Sequence, residues 1–325
     1  MKLFSWLAVF VFFAVSASAQ FGVAVGKPQR PLPAVEHVMI ISIDGLRPDR
    51  ALLADMPVMR AMVRDGAYTF WARTTAVSIT LPSHTSMLTG VTPRKHGIEW
   101  NSDLPFSQPV YPRYPTIFEM ATRAGYTTAL IAGKSKFSTL AKPGTVTWTS
   151  IPEEKNSSDS NGEVTAAAVK IIEAHMPAVI FVHYPEVDST GHAKGWGSKE
   201  QLAKIEETDG ELGKLMASLD RAGIRGSTVV ILSADHGGAG RSHGAEDARS
   251  RHIPWIATGP GVIKHFDLTQ HAALEVNTED TCATACWLLG LPQPPYFDGK
   301  PVLAAFEERV ETGAAAKPMG AAAGR

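Results

Sequence analysis

The chain has 325 residues, 44% of them hydrophobic and 19% charged, with a formal net charge of −1. That balance excludes a wholly disordered chain and a protein that grips nucleic acid through a strongly basic surface. Two cysteines are too few for a disulfide scaffold or a cysteine-rich zinc site, and the length suits one large α/β domain or a core with one insertion.

Residues 1–19 read as a secretory signal peptide. Lys2 gives a positive start, residues 3–15 are almost all apolar, and Ala17-Ser18-Ala19 offers a small-x-small cleavage site. No cysteine follows that would carry a lipid, and no other apolar run approaches the ~20 residues of a membrane span. The expectation is an exported protein, periplasmic or extracellular, with no stable membrane anchor. Composition specifies no oligomeric state. Residues 20–36, with Pro28, Pro31 and Pro33, form an extended lead-in, residues 37–310 a single catalytic domain, and residues 311–325 a low-complexity tail.

Within the domain, His37–Ile43 is a nearly continuous apolar run, as befits a strand buried on both faces. Helix-like segments follow at 58–64 and 115–124, then an apolar run at 127–132. A helix at 163–175 leads to a strand at 178–183. The helix at 198–221 opens with Ser198-Lys199-Glu200-Gln201, a capping box, and strands at Thr228–Ser233 and 253–258 come next. A last helix, 278–289, carries Cys282 and Cys286 four residues apart, a spacing that suits two buried thiols better than a disulfide. Strands alternating with helices give an α/β fold: a mostly parallel central sheet with helices on both faces.

In such a sheet, ligands bind outside the carboxyl ends of the strands, and those ends carry aspartate, histidine and glycine. Asp44-Gly45 follows the first strand, Asp188-Ser189-Thr190-Gly191-His192 follows the third, and Asp235-His236-Gly237-Gly238 with His243 follows the fourth. Singly these read as a turn, a surface ion pair and a plain loop. Together, three aspartates and three histidines suit zinc, which takes imidazole nitrogen and carboxylate oxygen. Six ligands exceed one tetrahedral ion and fit a pair ~3.5–4 Å apart that clamps both oxygens of an in-line displacement. Thr80, with Pro82 at a helix start, is either a hydroxyl nucleophile or a simple helix cap.

These pieces resemble the alkaline phosphatase superfamily, in particular its type I phosphodiesterase/nucleotide pyrophosphatase branch, over residues 37–261. The matching motifs are Ile41-Ser42-Ile43-Asp44-Gly45-Leu46-Arg47-Pro48, Thr80-Leu81-Pro82-Ser83-His84-Thr85 and residues 88–101 (Leu-Thr-Gly-Val-Thr-Pro-Arg-Lys-His-Gly-Ile-Glu-Trp-Asn). The three Asp/His segments above complete them, in the same order. The resemblance implies an alkaline-phosphatase-like fold, two Zn2+ ions, a small-molecule phosphate ester as substrate and a covalent phospho-enzyme, with no nucleic-acid polymer as partner. Carried over by position, Asp44, Asp235, His236 and the Thr80 oxygen hold one metal, while Asp188, His192 and His243 hold the other. Asn101 hydrogen-bonds a non-bridging phosphoryl oxygen, and His96 is structural. His252 competes with His243 for the last ligand place but lacks its Ser-His-Gly context.

Similar sulfatases place a cysteine and an arginine where Thr80 and His84 stand, which disfavours sulfatase activity. Gly133-Lys134-Ser135-Lys136 resembles the lysine pair with which threonine-type phosphomonoesterases and phosphonoacetate hydrolases meet their substrate's extra charge. Lys134 and Lys136 are therefore candidate substrate-binding residues, with solvated loop lysines as the plainer alternative, and monoester hydrolysis stands beside diester hydrolysis. A reading of another class is a non-catalytic relic that binds phosphorylated ligands or glycans.

Overall fold

The computed structural model describes residues 28–103, 110–244, 246–271 and 273–307. The expected signal peptide and the tail at 311–325 lie outside the described residues. His37–Ile43 is strand β1, and every one of its side chains is buried. Successive side chains point to opposite faces of a sheet, so this pattern requires both faces to be covered. Thr128–Ala132 (β3), Val179–Tyr184 (β5) and Thr228–Ser233 (β6) are buried in the same way. Gly66–Arg73 (β2), Trp148–Ser150 (β4), His252–Thr258 (β7) and Phe266–Asp267 (β8) complete an eight-stranded sheet ordered β4-β3-β5-β1-β6-β7-β2-β8.

The sheet is mixed but mostly parallel. β1 runs parallel to β5 and β6, and β3 parallel to β4 and β5, whereas β7 is antiparallel to both β6 and β2. The register pairs Ser42 with both His183 and Ser233, so the segments that follow β1 and β6 leave the sheet at one level. The core is aliphatic and aromatic, with Trp255, Tyr184, Phe118, Phe137 and Phe181 its largest fully buried side chains. Each such burial contributes about 1.5–3 kcal/mol.

The apolar runs that suggested strands are all strands, and three shorter or more polar strands join them. β2 mixes buried, intermediate and exposed positions, and β4 and β8 span only three and two residues. Ser198 caps the Lys199–Arg221 helix by accepting the Gln201 N–H at 3.2 Å, but Gln201 Oε1 accepts from Gly197 N at 2.6 Å, one residue before the cap. The expected reciprocal box is thus only half formed there. A complete one opens Asn161–His175, where Ser160 and Glu163 exchange bonds. Cys282 and Cys286 are free and buried.

Candidate active site

The site begins where β1 ends. Gly45 adopts φ +76°, and a Cβ there would lie 3.0 Å from the Asp188 backbone, so glycine lets the helix that carries Asp188 close on the strand. Asp44, Asp188 and Asp235 are all buried. Asp44 Oδ2 accepts from Lys134 Nζ at 2.7 Å and from His183 Nε2 at 3.0 Å, while Asp188 Oδ2 accepts from the same ammonium at 2.6 Å. Among the described residues, Asp235 Oδ1 has only the Gly45 N–H, at 3.1 Å.

This asymmetry divides the carboxylates. Burial pushes Asp44 up, but Lys134, then His183 and His236, outweigh it and hold the group well below the usual carboxylate range. Burial and the neighbouring charge of Asp44 raise Asp188, yet Lys134 and His192 bring it below that range. Burial, then the charges of Asp44 and Asp188, push Asp235 well above it.

The histidines are oriented by backbone carbonyls, which can only accept hydrogen bonds. His236 Nδ1 lies 2.8 Å from the Gly237 oxygen, His192 Nδ1 3.0 Å from that of Arg241, and His243 Nδ1 3.0 Å from that of Ser78. Each ring therefore carries its proton on Nδ1 and presents a bare Nε2, the tautomer a metal ligand needs. His236 Nε2 lies 3.2 Å from Asp235 Oδ2, 3.4 Å from Asp44 Oδ1 and 4.0 Å from Asp188 Oδ1. Within this cluster, those three carboxylate oxygens are left without a hydrogen-bond partner among the described residues. Burial pushes the His236 pKa down to about 4, so the ring is neutral over the physiological range.

The second group lies alongside. His192 Nε2 and His243 Nε2 are 3.0 Å apart and stand 3.4 and 3.5 Å from Asp188 Oδ1. Asp188 and His192 meet because the segment Glu186–Lys194 is a helix, absent from the elements expected, on which i and i+4 share a face. The His243 ring stacks on His236 at 3.7 Å and joins the two groups. Within each of the sets Asp44/Asp188/His236 and Asp188/His192/His243, the ligand atoms converge closely enough to hold one ion. Three unpartnered carboxylate oxygens beside bare imidazole nitrogens are the donor set of a hard or borderline divalent cation such as zinc. His252 stands apart, stacked on Trp71 at 4.0 Å.

Thr80 opens the helix Thr80–Thr89 and is 1% exposed. The N-cap is Ile79, with no side-chain capping bond, so Thr80 Oγ1 does not serve as the helix cap. It lies 3.4 Å from His236 Nε2, at a helix N-terminus that favours anions. The Leu81 N–H donates to Asn101 Oδ1 at 2.9 Å, which sets Asn101 beside that helix start. Lys136 Nζ donates to the Asn101 carbonyl oxygen at 2.7 Å. Lys134 differs from the expectation of a substrate-facing pair: its ammonium is bound between Asp44 and Asp188, because two buried carboxylates attract it more strongly than an open loop would.

Two roles escaped the motif reading. His84 donates from Nδ1 to the Thr80 carbonyl oxygen at 2.8 Å and accepts from Ser42 Oγ at 2.7 Å, fixing the start of the Thr80 helix to β1. His183, inside β5, orients Asp44. For His183 an imidazole in an otherwise apolar strand was the only sequence signal, whereas His84 lies in the helix Thr80–Thr89, within the Thr80 motif itself. His96, read as structural, is buried, with Nε2 3.0 Å from Ser86 Oγ and Nδ1 accepting the Ile98 N–H at 3.0 Å.

A family model for type I phosphodiesterase/nucleotide pyrophosphatase matches residues 38–249. Human ectonucleotide pyrophosphatase/phosphodiesterase family member 7 is 23% identical over 244 residues, covering 70% of this chain and 53% of the relative. Bovine bis(5'-adenosyl)-triphosphatase is 25% identical over 213 residues, covering 62% and 47%. The chain thus spans about half the length of the curated relatives it matches. Among solved structures, inactive murine ectonucleotide pyrophosphatase/phosphodiesterase 5 in complex with AMP superposes with a TM-score of 0.68 at 17% identity, over 84% of this chain and all of that one. A putative sulfatase from Bacteroides thetaiotaomicron gives 0.66 at 14% identity, covering 84% and 75%. These likenesses establish the alkaline-phosphatase-like fold. With the family model matching well over half of its residues, the chain belongs to the type I phosphodiesterase/nucleotide pyrophosphatase family.

Proposed function

We propose that the chain is an exported dizinc hydrolase of small phosphoric esters, of phosphodiesterase/nucleotide pyrophosphatase type, with Thr80 as nucleophile. The observation that carries this reading is the convergence of Asp44 Oδ1, Asp188 Oδ1 and Asp235 Oδ2, all buried and unpartnered, on His236 Nε2 beside the Thr80 hydroxyl. Asp44, Asp235, His236 and Thr80 would hold one zinc, and Asp188, His192 and His243 the other. When bound, the ions supply Lewis acidity toward the hydroxyl and the phosphoryl oxygens.

The chain's own groups do the rest. Thr80 Oγ1 forms a bond to phosphorus as the bond to the leaving oxygen breaks, and water then hydrolyses the phospho-threonine. The Asn101 side chain, its oxygen held by the Leu81 amide, turns its NH2 toward a non-bridging oxygen. His84 fixes the backbone from which Thr80 projects. Export rests on the residues 1–19 signature, and, among the described residues, no helix is long and apolar enough to cross a membrane. The test is acid quenching during turnover of bis-nitrophenyl phosphate, followed by mass spectrometry of the Thr80 peptide. A phosphoryl group on Thr80 is expected; steady turnover with Thr80 unmodified and dispensable overturns the mechanism.

A second reading, monoester or phosphonoacetate-type hydrolysis, is supported by Lys136, whose ammonium stands beside Asn101. Lys136→Ala should then lower monoester kcat/KM by roughly 10- to 150-fold, the loss of one charge-assisted contact, and leave diester turnover much less affected. Equal effects on nitrophenyl phosphate and bis-nitrophenyl phosphate remove the monoester reading. Nitrophenyl sulfate, run in the same panel, tests the disfavoured sulfatase activity.

A further inference from the structure

We propose that Trp71 and His252 form a saccharide-binding platform outside the candidate hydrolytic site. β2 and β7 pair Thr69 with Trp255 and Ala72 with Ile253, so β2 carries one extra residue between these points, a bulge. Bulges re-aim side chains, and here Trp71 stands 67% exposed, although tryptophan is ordinarily largely buried. Its ring stacks on His252 with centroids 4.0 Å apart and planes 24° apart, which holds the indole in one orientation.

The pair borders a cavity of about 460 Å3, within the roughly 300–1,000 Å3 of small-molecule sites. Arg73, Glu275, His271 and Thr269 also line it. Arg73 can only donate hydrogen bonds, Glu275 can only accept, and His271 can do either. Among the described residues, none of these three side chains has a hydrogen-bond partner in the protein. Charges of both signs beside a flat indole fit neither a purely apolar ligand nor a simple anion. They fit a pyranose ring, whose C–H face lies on an aromatic surface while its hydroxyls both give and accept hydrogen bonds.

The platform's position gives it meaning. Ser233 pairs with Trp255, so His252 lies three residues further toward the edge that carries Asp235 and His236. β2 lies two strands from β6 in the sheet order, about 10 Å across at ordinary strand spacing. A sugar held at Trp71 therefore faces the same edge as the Asp/His cluster. The binding itself does not depend on the hydrolase reading.

The test is calorimetric titration of the full chain with lactose, cellobiose and diacetylchitobiose, with adenosine as a control. At least one disaccharide should bind saturably, Trp71→Ala should weaken it about tenfold or more, and Trp71→Phe should keep part of the affinity. Thr80→Ala should bind the sugar as the wild type does, which separates failure of this site from failure of the nucleophile assignment. Thermal melts confirm that the Trp71 variants fold. No binding of any disaccharide, equal binding by wild type and Trp71→Ala, or Trp71-dependent binding of adenosine alone overturns the proposal.

Discussion

Asp44, Asp235 and His236 are fully buried, whereas the His192 side chain is 45% exposed, although both ligand groups meet at one carboxylate cluster. The inner group comes directly from the ends of two adjacent strands, whose ladder hydrogen bonds fix it. The outer group comes from a nine-residue helix and a loop, Glu186–Lys194 and the segment around His243. Charge is distributed the other way. Lys134 neutralises Asp44 and Asp188, and Asp235, as deeply buried as Asp44, is left without a lysine or arginine among the described residues. The better-ordered half is thus the electrostatically incomplete one. A fold that places a buried carboxylate where nothing of its own neutralises it trades stability for affinity toward an external cation.

The largest expected effect separates chemistry from structure within the inner group. Thr80→Ala should lower kcat on the order of 10^4-fold or more, as removal of a nucleophile does, while zinc content and thermal midpoint stay close to wild type. Undiminished turnover of bis-nitrophenyl phosphate would place the nucleophile elsewhere.

Next come the two groups compared in protein stripped of metal by a chelator. The folded-state pKa of Asp235 is raised, so its ionisation costs stability once pH passes the unfolded value near 3.8, and increasingly so up to the folded value. Stripped Asp235→Asn should therefore melt above stripped wild type at pH 7 and converge with it near pH 3; with zinc added, the order should invert. His192 has the opposite sign. The hydrogen bond that its Nε2 gives Asp188 once protonated raises its pKa, so its contribution is full below the unfolded value of 6.5 and lost as pH rises through the folded one. Stripped His192→Ala should melt below wild type at pH 5 and match it at pH 9. If both variants respond alike to pH, the contrast between the groups is wrong.

The smallest effect uses a buried carboxyl away from the cluster as reference. Burial, then the charge of Asp280, raises Glu279 to about 7. Its ionisation costs stability between the unfolded value of 4.5 and the folded value, up to about 3 kcal/mol above pH 7. Glu279→Gln should raise the thermal midpoint at pH 8 and leave it unchanged at pH 4, with or without zinc. A gain of the same size at both pH values would show that the side chain acts through packing, not charge.

Much of this was legible in order along the chain. β1, β3, β5, β6 and β7 could be read from apolar runs, because a strand covered on both faces needs no polar position. β2 could not, since its pattern of buried, intermediate and exposed residues is set by a bulge and by the cavity beside Trp71. The residue types of the candidate site were equally visible: Asp44, Asp188, His192, Asp235, His236 and His243 each stand in a short motif with glycine, and Thr80 precedes a proline. The roles of His84 and His183 stayed hidden because they depend on groups reached across the fold, Ser42 and Asp44, whose nearness no spacing reveals.

By itself the sequence determined the α/β class, the edge of the sheet on which chemistry gathers and the family, because hydrophobic period and motif order are local or sequential properties. The Ser-His-Gly context already favoured His243 over His252, and the tertiary structure decided where each ring lies. His243 lies in the segment after β6 and His252 opens β7, and the fold lays one on His236 and turns the other toward Trp71. It decided the place of Lys134 as well. A lysine after a strand is free to face solvent until two buried carboxylates arrive from β1 and from the helix after β5, and their combined attraction draws the ammonium inward.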